Sequence, residues 1–277
     1  METVLIIGGD RRSYYLAMFL RKKGYDISCL DVPGAPADIC QEGIDYGRYD
    51  TIILPVPVTK DGKNINCPHK VIDMDEIIGT LNSLNSLCGG VIPEQLVHAC
   101  YEADVFCYDF MKDDQVAVKN AVATAEGAVM EAFLMSDKNI EGSKCLVSGF
   151  GRCGRVLADK LNCFGAEVTV MIRSEEAYKK VQSFGYRPMY FSDYKRCAES
   201  YDYCFNTVPA MVIGSDIIKH MPPDIVIIDI ASKPGGCDFA CLEKHGIKYR
   251  HSLGIPGRYS PEASGRILAE ACIAKGI

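Results

Sequence analysis

A glycine-rich turn at residues 149–154 carries the clearest chemical signal in the chain. The turn has the sequence Gly149-Phe150-Gly151-Arg152-Cys153-Gly154, which matches the spacing G-x-G-x-x-G. In this spacing the first glycine permits a tight turn, the second lets a pyrophosphate approach the backbone, and the third lets a helix pack closely on a strand. The phosphates then lie at a helix N-terminus, where unpaired N–H groups favour anions. All six residues are therefore predicted to bind a dinucleotide.

The end of the following strand indicates which dinucleotide. Proteins that bind NAD place an acidic residue about 20 residues beyond the glycines, where it binds the ribose 2′-hydroxyl. This chain instead has Arg173, followed by Ser174. A guanidinium and a hydroxyl are suited to a 2′-phosphate. The predicted cofactor is NADP.

Two polar loops follow later apolar runs of the same half of the chain. Thr207, Val208 and Pro209 follow one run, and Ser232-Lys233 follows the next. In an open α/β sheet, ligands bind beyond the carboxyl ends of the strands. Thr207, Val208 and Pro209 are therefore predicted to contact the cofactor, and Lys233 is a candidate carboxylate anchor or proton donor.

The elements that must position these residues alternate between strands and helices. Strands are predicted at Val4–Ile7, Ile27–Leu30, Thr51–Leu54, near Val71, at Val105–Cys107, Lys144–Ser148 and Glu167–Ile172, near Met189, and at Tyr203–Val208, Ile225–Ile230 and Ile247–Tyr249. Helices are predicted at residues 13–23, 93–102, 113–136 and 261–275, and a further helical stretch follows the glycine turn. Alternation of this kind predicts parallel, doubly wound sheets.

The predicted fold class is α/β with two Rossmann-like domains, the second of which is a doubly wound parallel sheet that binds the dinucleotide. We expect a substrate domain at residues 1–115, a connecting helix at 116–139 and the dinucleotide-binding domain at 140–259, with a cleft between the domains. The C-terminal helix, 260–277, is expected to pack on the first domain. Gly8-Gly9-Asp10-Arg11-Arg12 opens the chain in a similar way, but it lacks a third spaced glycine. We therefore favour a substrate-domain loop there over a second nucleotide site.

Composition excludes several classes of protein. The 277 residues carry a net charge of −6, and we find no basic stripe with interleaved aromatic residues, so nucleic acid is not an expected partner. No apolar stretch approaches the roughly 20 residues needed to span a bilayer. The fourteen cysteines are scattered without any C-x-x-C pair, which favours reduced thiols in a cytoplasmic protein. The five histidines show no metal-binding spacing, so no metal is expected.

Six blocks of sequence together resemble the family of dipicolinate synthase A subunits over the whole length of the chain. These blocks are residues 124–128 (TAEGA), 149–154 (GFGRCG), 172–174 (IRS), 206–209 (NTVP), 229–236 (DIASKPGG) and 254–257 (GIPG). The second domain alone also resembles the cofactor domains of D-2-hydroxyacid dehydrogenases, alanine dehydrogenase and S-adenosylhomocysteine hydrolase. The blocks at 124–128 and 232–236 favour the first family.

The resemblance implies an NADP-dependent oxidoreductase of dipicolinate biosynthesis in sporulating bacteria. The substrate would be dihydrodipicolinate or its hydrated tetrahydro form, and a small flavoprotein-like B subunit would complete the dipicolinate synthase. A homo-oligomer is left open. Candidates for binding the two substrate carboxylates are Arg11, Thr124, Ser232 and Arg258, together with Lys233. Candidate proton carriers are Lys233, Glu126 and His251, and the sequence does not choose among them.

Two rival functions stay open at this point. One is a D-2-hydroxyacid or imino-acid dehydrogenase, although the Arg, Glu and His series of the hydroxyacid dehydrogenases is absent from this domain in its usual order. The other is a non-catalytic subunit that senses a nucleotide and activates its partner.

Overall fold

The computed structural model describes residues 2–43, 45–196 and 200–277 and divides the chain into two compact units. Unit 1 comprises Met1–Asn120 and Ser260–Ile277, and unit 2 comprises Ala121–Tyr259. The strands are β1 Thr3–Ile7, β2 Asp26–Leu30, β3 Thr51–Ile53, β4 Ser86–Gly89, β5 Phe106–Asp109, β6 Lys144–Ser148, β7 Glu167–Ile172, β8 Arg187–Tyr190, β9 Tyr203–Asn206, β10 Val226–Asp229 and β11 Lys248–His251. The helices are α1 Arg11–Lys22, α2 Met74–Ile78, α3 Glu94–Glu102, α4 Asp114–Met135, α5 Arg152–Cys163, α6 Glu175–Ser183, α7 Ser215–Ile218, α8 Phe239–Lys244, α9 Ile255–Tyr259 and α10 Pro261–Ala274.

Unit 1 is built on a parallel sheet of five strands in the order β2-β1-β3-β4-β5. Its strands are short apolar runs that are buried on both faces, as expected for a parallel sheet covered by helices. The C-terminal helix α10 packs on α1 in this unit. Gly265 permits the close approach, because a Cβ atom there would lie 2.6 Å from the Arg12 carbonyl oxygen.

Unit 2 is built on a parallel sheet of six strands in the order β11-β10-β9-β6-β7-β8. The chain runs outward from β6 through β7 to β8, then returns to the other side of β6 and runs through β9 and β10 to β11. The strand order therefore reverses between β6 and β9. In open sheets of this kind the ligand crevice lies at the carboxyl ends of the strands, at this point of reversal. The predicted doubly wound sheet is confirmed.

The strand predicted near Val71 is wrong. Val71 is 82% exposed, and the segment leads instead into α2, whose N-terminus is capped by Asp73. The true neighbouring strand is β4, a buried run of four residues that begins directly after polar Asn85. A run this short carries almost no periodicity, so pattern reasoning does not detect it.

No helix in the described part of the chain is long and apolar enough to cross a membrane. The thirteen cysteines that fall within the described residues are all free thiols, and seven of them are buried in the apolar core clusters around the two sheets.

Candidate functional site

The glycine turn lies at the carboxyl end of β6, beside the loop that follows β9. Gly149 has φ +86°, a conformation that favours glycine, and its N–H donates to the Met171 carbonyl at 2.8 Å. A Cβ atom on Gly149 would lie 2.7 Å from Val208 Cγ2 and 3.1 Å from Thr207 Oγ1. The turn is therefore held against the β9 loop with no room for a side chain at this position.

The N-terminus of α5 is open to an anion. Gly151 is its N-cap and supplies no side-chain acceptor, so the first N–H groups of this helix have no capping side chain. A Cβ atom on Gly151 would meet no protein atom within 4 Å, whereas one on Gly154 would clash with the Gly149 carbonyl oxygen. Gly154 thus keeps helix and strand close, and Gly151 leaves free space in front of the helix. Both features fit a bound pyrophosphate.

The side chains within the turn point in different directions. Phe150 packs edge-on against Phe184 and Tyr186, with ring centroids 5.5 and 6.0 Å away, so only its backbone faces the turn. Cys153 is half-buried, and burial raises the pKa of its thiol, while a hydrogen bond with Thr124 opposes the rise. Thr124 is therefore placed against the first turn of α5.

Arg173 and Ser174 lie exposed directly after β7. The Arg173 guanidinium lies 6.0 Å from the centre of the Phe191 ring. Ser174 is the N-cap of α6 and accepts the Ala177 N–H at 3.2 Å, which leaves its own hydroxyl proton free to donate. The Arg173 guanidinium forms no ion pair within the described residues.

A buried pair ties the loops beyond β9 and β10 together. Asn206 Nδ2 donates to Asp229 Oδ1 at 2.8 Å, and neither residue is exposed at all. Asp229 also accepts the N–H groups of Ala231 and Gly236, at 3.0 and 2.7 Å. The pair fixes the loop 229–236 that contains Ser232 and Lys233. Asp229 was not among the predicted site residues, although a carboxylate after four apolar residues is a usable signal.

The remaining loop residues line the same sheet edge. Thr207 Oγ1 donates to the Ser148 carbonyl at 2.7 Å, which links the β9 loop to β6. Val208 and Pro209 follow it. Ser232 and Lys233 are both exposed, and no carboxylate of the described residues pairs with the Lys233 ammonium.

His251 ends the edge strand β11, next to Asp229 in register. Its Nε2 lies 2.9 Å from the Ala231 carbonyl oxygen, and its ring stacks on Phe239 at 5.1 Å. Because a carbonyl only accepts, this contact requires the tautomer with the hydrogen on Nε2, in which the other ring nitrogen is a hydrogen-bond acceptor.

The helix α4 presents its predicted site residues to different neighbours. Glu126 is half-exposed and pairs with Lys160 of α5 at 2.7 Å. Gly127 lies under α9, since a Cβ atom there would clash with Ile255 and lie 2.9 Å from Tyr259. The glycine of the 124–128 block therefore allows α9 to pack on α4.

Glu131, one turn further along α4, is a buried acid that the sequence analysis did not single out. Its carboxylate is fully buried and accepts hydrogen bonds from Ser252 at 2.8 Å, from Tyr259 at 2.7 Å and from Arg250. Burial by itself raises the pKa of Glu131, but these hydrogen bonds and the charge of Arg250 outweigh it and lower the pKa. A single acid in the apolar run Val129–Leu134 was the available signal.

Arg258 belongs to this buried cluster. Its guanidinium lies 3.0 Å from Glu131 and donates to Ser252 Oγ at 2.6 Å, while 46% of the side chain stays exposed. Arg258 is thus anchored on one side and retains exposed donors on the other.

Arg11 lies in unit 1, on the exposed side of α1, where it donates to Tyr15 at 3.1 Å.

The neighbouring glycine turn of that unit is covered by its own chain. Gly9 N–H donates to the Asn66 carbonyl at 2.9 Å, and a Cβ atom on Gly8 would lie 2.6 Å from Cys67 Sγ. The Asp31 carboxylate accepts the backbone N–H groups of the same loop, at His69 and Lys70. The segment 66–70 therefore fills the position that a second nucleotide would need.

These features define unit 2 as a nicotinamide-dinucleotide-binding domain of the dehydrogenase type. Residues 115–233 match the family described as the D-isomer specific 2-hydroxyacid dehydrogenase NAD binding domain. Residues 3–111 match the family described as the N-terminal domain of the dipicolinate synthase A subunit.

The whole chain is similar to the A subunit of dipicolinate synthase from Bacillus subtilis, with 30% identity over 96% of this chain and 93% of the relative. A crystal structure of the Bacillus halodurans A subunit has a TM-score of 0.89 at 29% identity and covers 99% of this chain and 97% of that one. A transhydrogenase from Sinorhizobium meliloti, with a TM-score of 0.69 at 15% identity over 99% of this chain and 94% of that one, shares the fold. The chain belongs to the family of dipicolinate synthase A subunits.

Proposed function

We propose that the chain oxidises a dihydropyridine dicarboxylate to pyridine-2,6-dicarboxylate with NADP, as the catalytic subunit of a two-subunit synthase. The substrate is dihydrodipicolinate, or its hydrated tetrahydro form after loss of water. The observation that carries the proposal is the buried Asn206–Asp229 pair, which presents the exposed Lys233 at the sheet edge that also carries the glycine turn.

The cofactor would be held mainly by backbone groups. The N–H groups at the start of α5 would bind the pyrophosphate, and the space in front of Gly151 would receive it. Arg173 and Ser174 would bind the 2′-phosphate, which supports NADP over NAD. When bound, the nicotinamide ring supplies the hydride acceptor.

The chain's own residues would bind and orient the substrate. Lys233 and Ser232 lie on the loop that Asp229 holds by its backbone, and they offer an ammonium and a hydroxyl to one carboxylate. Arg258 offers the donors that Glu131 and Ser252 leave free. Thr124, which lies against the first turn of α5, offers a further hydroxyl for a carboxylate. Holding the donor carbon in a reactive geometry lowers the entropic part of the barrier.

The oxidation removes a hydride and a proton from the substrate ring, and the ring becomes aromatic. The protein must therefore accept one proton. We infer that His251 accepts it, since its contact with the Ala231 carbonyl leaves the other ring nitrogen as an acceptor. Lys233, on the loop after the adjacent strand, can accept the proton only as a neutral amine, and it then does not bind a carboxylate as an ammonium. Glu126 is a weaker candidate because Lys160 already neutralises it.

The names of the relatives imply a partner chain, and we infer that this partner is the flavoprotein-like B subunit of dipicolinate synthase. We also place the enzyme in the cytoplasm of a sporulating cell, where the thirteen free thiols of the described residues would stay reduced.

Turnover by the purified chain tests the proposal. The chain is incubated with freshly generated dihydrodipicolinate and either NADP or NAD, with and without its partner. We expect reduced-cofactor absorbance and pyridine-2,6-dicarboxylate to appear together with NADP. Product formation only when the partner is present, with no cofactor reduced, would overturn the catalytic assignment in favour of a nucleotide-sensing role. Reduction of NADP by a 2-hydroxyacid instead would favour the dehydrogenase alternative.

A further inference from the structure

A cavity of about 420 Å³ opens beside Arg173 in unit 2. Phe191, Ser192 and Lys195, from the short helical turn that follows β8, form one wall. Met211 and Asp216, from the segment that leads into α7, form the other. The end of the second strand of a dinucleotide-binding sheet is where the adenosine ribose lies. The cavity is therefore in reach of a 2′-phosphate.

Two cations and one anion line this cavity. Lys195 Nζ lies 2.8 Å from Asp216 Oδ2, and the two side chains are 44% and 55% exposed. The hydrogen bond from Lys195 lowers the pKa of Asp216. Arg173 contributes a second cation, which has no carboxylate partner within the described residues. The lining is thus cationic on one wall, with a single carboxylate opposite.

An exposed ion pair is easily exchanged. Such a pair is worth about 0–1 kcal/mol, so breaking it costs little. A phosphate monoester carries a charge of about −1.5 to −2 at neutral pH and offers three acceptor oxygens. It therefore competes well against one carboxylate for the Lys195 ammonium.

We infer that Lys195 is a second residue that selects for the 2′-phosphate of NADP, and that Asp216 competes with this phosphate for Lys195. The inference rests on the proposed use of NADP and extends it to two residues that lie 22 and 43 positions beyond Arg173 in the sequence. Asp216 also weakens NADP binding directly, because its own negative charge repels the phosphate. The two residues thus set the preference for NADP in opposite directions.

The alternative is a bridge that only fastens the turn after β8 to α7. A structural bridge affects NAD and NADP equally, whereas a phosphate contact affects NADP alone. The ratio of the two dissociation constants therefore separates the roles.

The experiment is calorimetric titration of the full chain with NADP and with NAD. The variants are Lys195→Met, Asp216→Asn and the double variant. Lys179→Met is the matched control, since Lys179 is an exposed lysine of α6 that pairs with Glu175 and lies outside the cavity lining. Thermal melting of each variant checks that it is folded.

We expect Lys195→Met to lower the affinity for NADP roughly 3- to 10-fold and to leave the affinity for NAD unchanged. Asp216→Asn should tighten NADP. In the double variant this gain should shrink, because the lysine that Asp216 restrains is gone. The Lys179→Met control should bind both cofactors like the wild type.

An unchanged NADP-to-NAD ratio in Lys195→Met overturns the inference, whether both affinities fall together or neither changes. That result leaves the proposed function standing as long as the wild type prefers NADP and Arg173→Asp abolishes the preference. A wild type with no preference for NADP would instead count against the cofactor in the proposed function.

Discussion

Asn206 and Asp229 end adjacent strands and bond to each other at 2.8 Å in a fully buried position. Each also binds the backbone of its own loop, since the Asn206 amide contacts Val208 and the Asp229 carboxylate contacts Ala231 and Gly236. One side-chain pair therefore sets the shape of both loops at the sheet edge. A bond between two rigid strand ends is a firm base for loops that must position a substrate.

Replacing Asp229 with Asn should loosen this edge. The new amide presents an N–H₂ group toward N–H donors, which leaves buried groups unsatisfied at a cost of about 1–3 kcal/mol. Urea unfolding should show the loss, and cofactor affinity should fall with it. Asp238→Ala is the control, because it removes the side-chain cap of α8 and should cost stability without affecting the cofactor. If the Asp229 variant bound the cofactor as tightly as the control variant does, this role for Asp229 would be contradicted.

Two glycines of the turn should respond differently to alanine. At Gly151 the new methyl group meets no protein atom within 4 Å, so the melting temperature should hardly change while cofactor binding is lost. At Gly154 it clashes with the Gly149 carbonyl oxygen, so stability and binding should both fall. Melting curves with and without NADP measure both effects. Full cofactor binding by Gly151→Ala would rule out a pyrophosphate at this helix.

Arg173→Asp should reverse or abolish the preference for NADP. The variant removes a charge-assisted contact and puts a negative charge against the 2′-phosphate. We expect the affinity for NADP to fall by at least roughly 10-fold, while the affinity for NAD stays the same or rises. Titration with both cofactors decides the matter. Equal wild-type affinities for the two, with the variant unaltered, would refute the NADP assignment and leave the glycine-turn argument intact.

Lys233→Ala and Arg258→Ala should each lower kcat/KM for the substrate by roughly 10- to 150-fold, the value of a charge-assisted hydrogen bond. The affinity for NADP should stay at the wild-type value in both variants. Arg258→Ala should also lower the melting temperature, because it removes one partner of the buried Glu131. Lys244→Ala, an exposed lysine of α8, is the control. Wild-type turnover by both variants would mean that neither Lys233 nor Arg258 binds the substrate.

Replacing Glu131 with Gln should change how the free energy of unfolding depends on pH. The pKa of Glu131 is lowered in the folded state, so the ionised carboxylate contributes stability that is complete above the ordinary pKa of 4.5. This contribution falls as the pH drops through the lower, folded pKa. The glutamine variant lacks it, so the gap between the two unfolding free energies should be widest near neutral pH and narrow in acid. Urea titrations at several pH values measure the gap, and a constant gap would contradict the assignment.

The sequence by itself determined the parts of this protein that depend on neighbours along the chain. The turn at 149–154, the arginine after β7, the helices and most strands are local patterns, and the doubly wound sheet follows from their alternation. The sequence did not reveal β4, because a buried run of four residues carries almost no periodicity, and the strand predicted near Val71 was wrong.

Only the tertiary structure decided which polar groups meet. Glu131 binds residues 119 to 128 positions away, and Asn206 meets Asp229 across 23 residues. The tertiary structure also pairs Glu126 with Lys160 and anchors Arg258 on a buried carboxylate. It places Lys195 and Asp216 in the lining of the cavity beside Arg173. The physical reason is that a buried charge is stable only with the partners that the folded chain brings to it, and sequence spacing does not encode those partners.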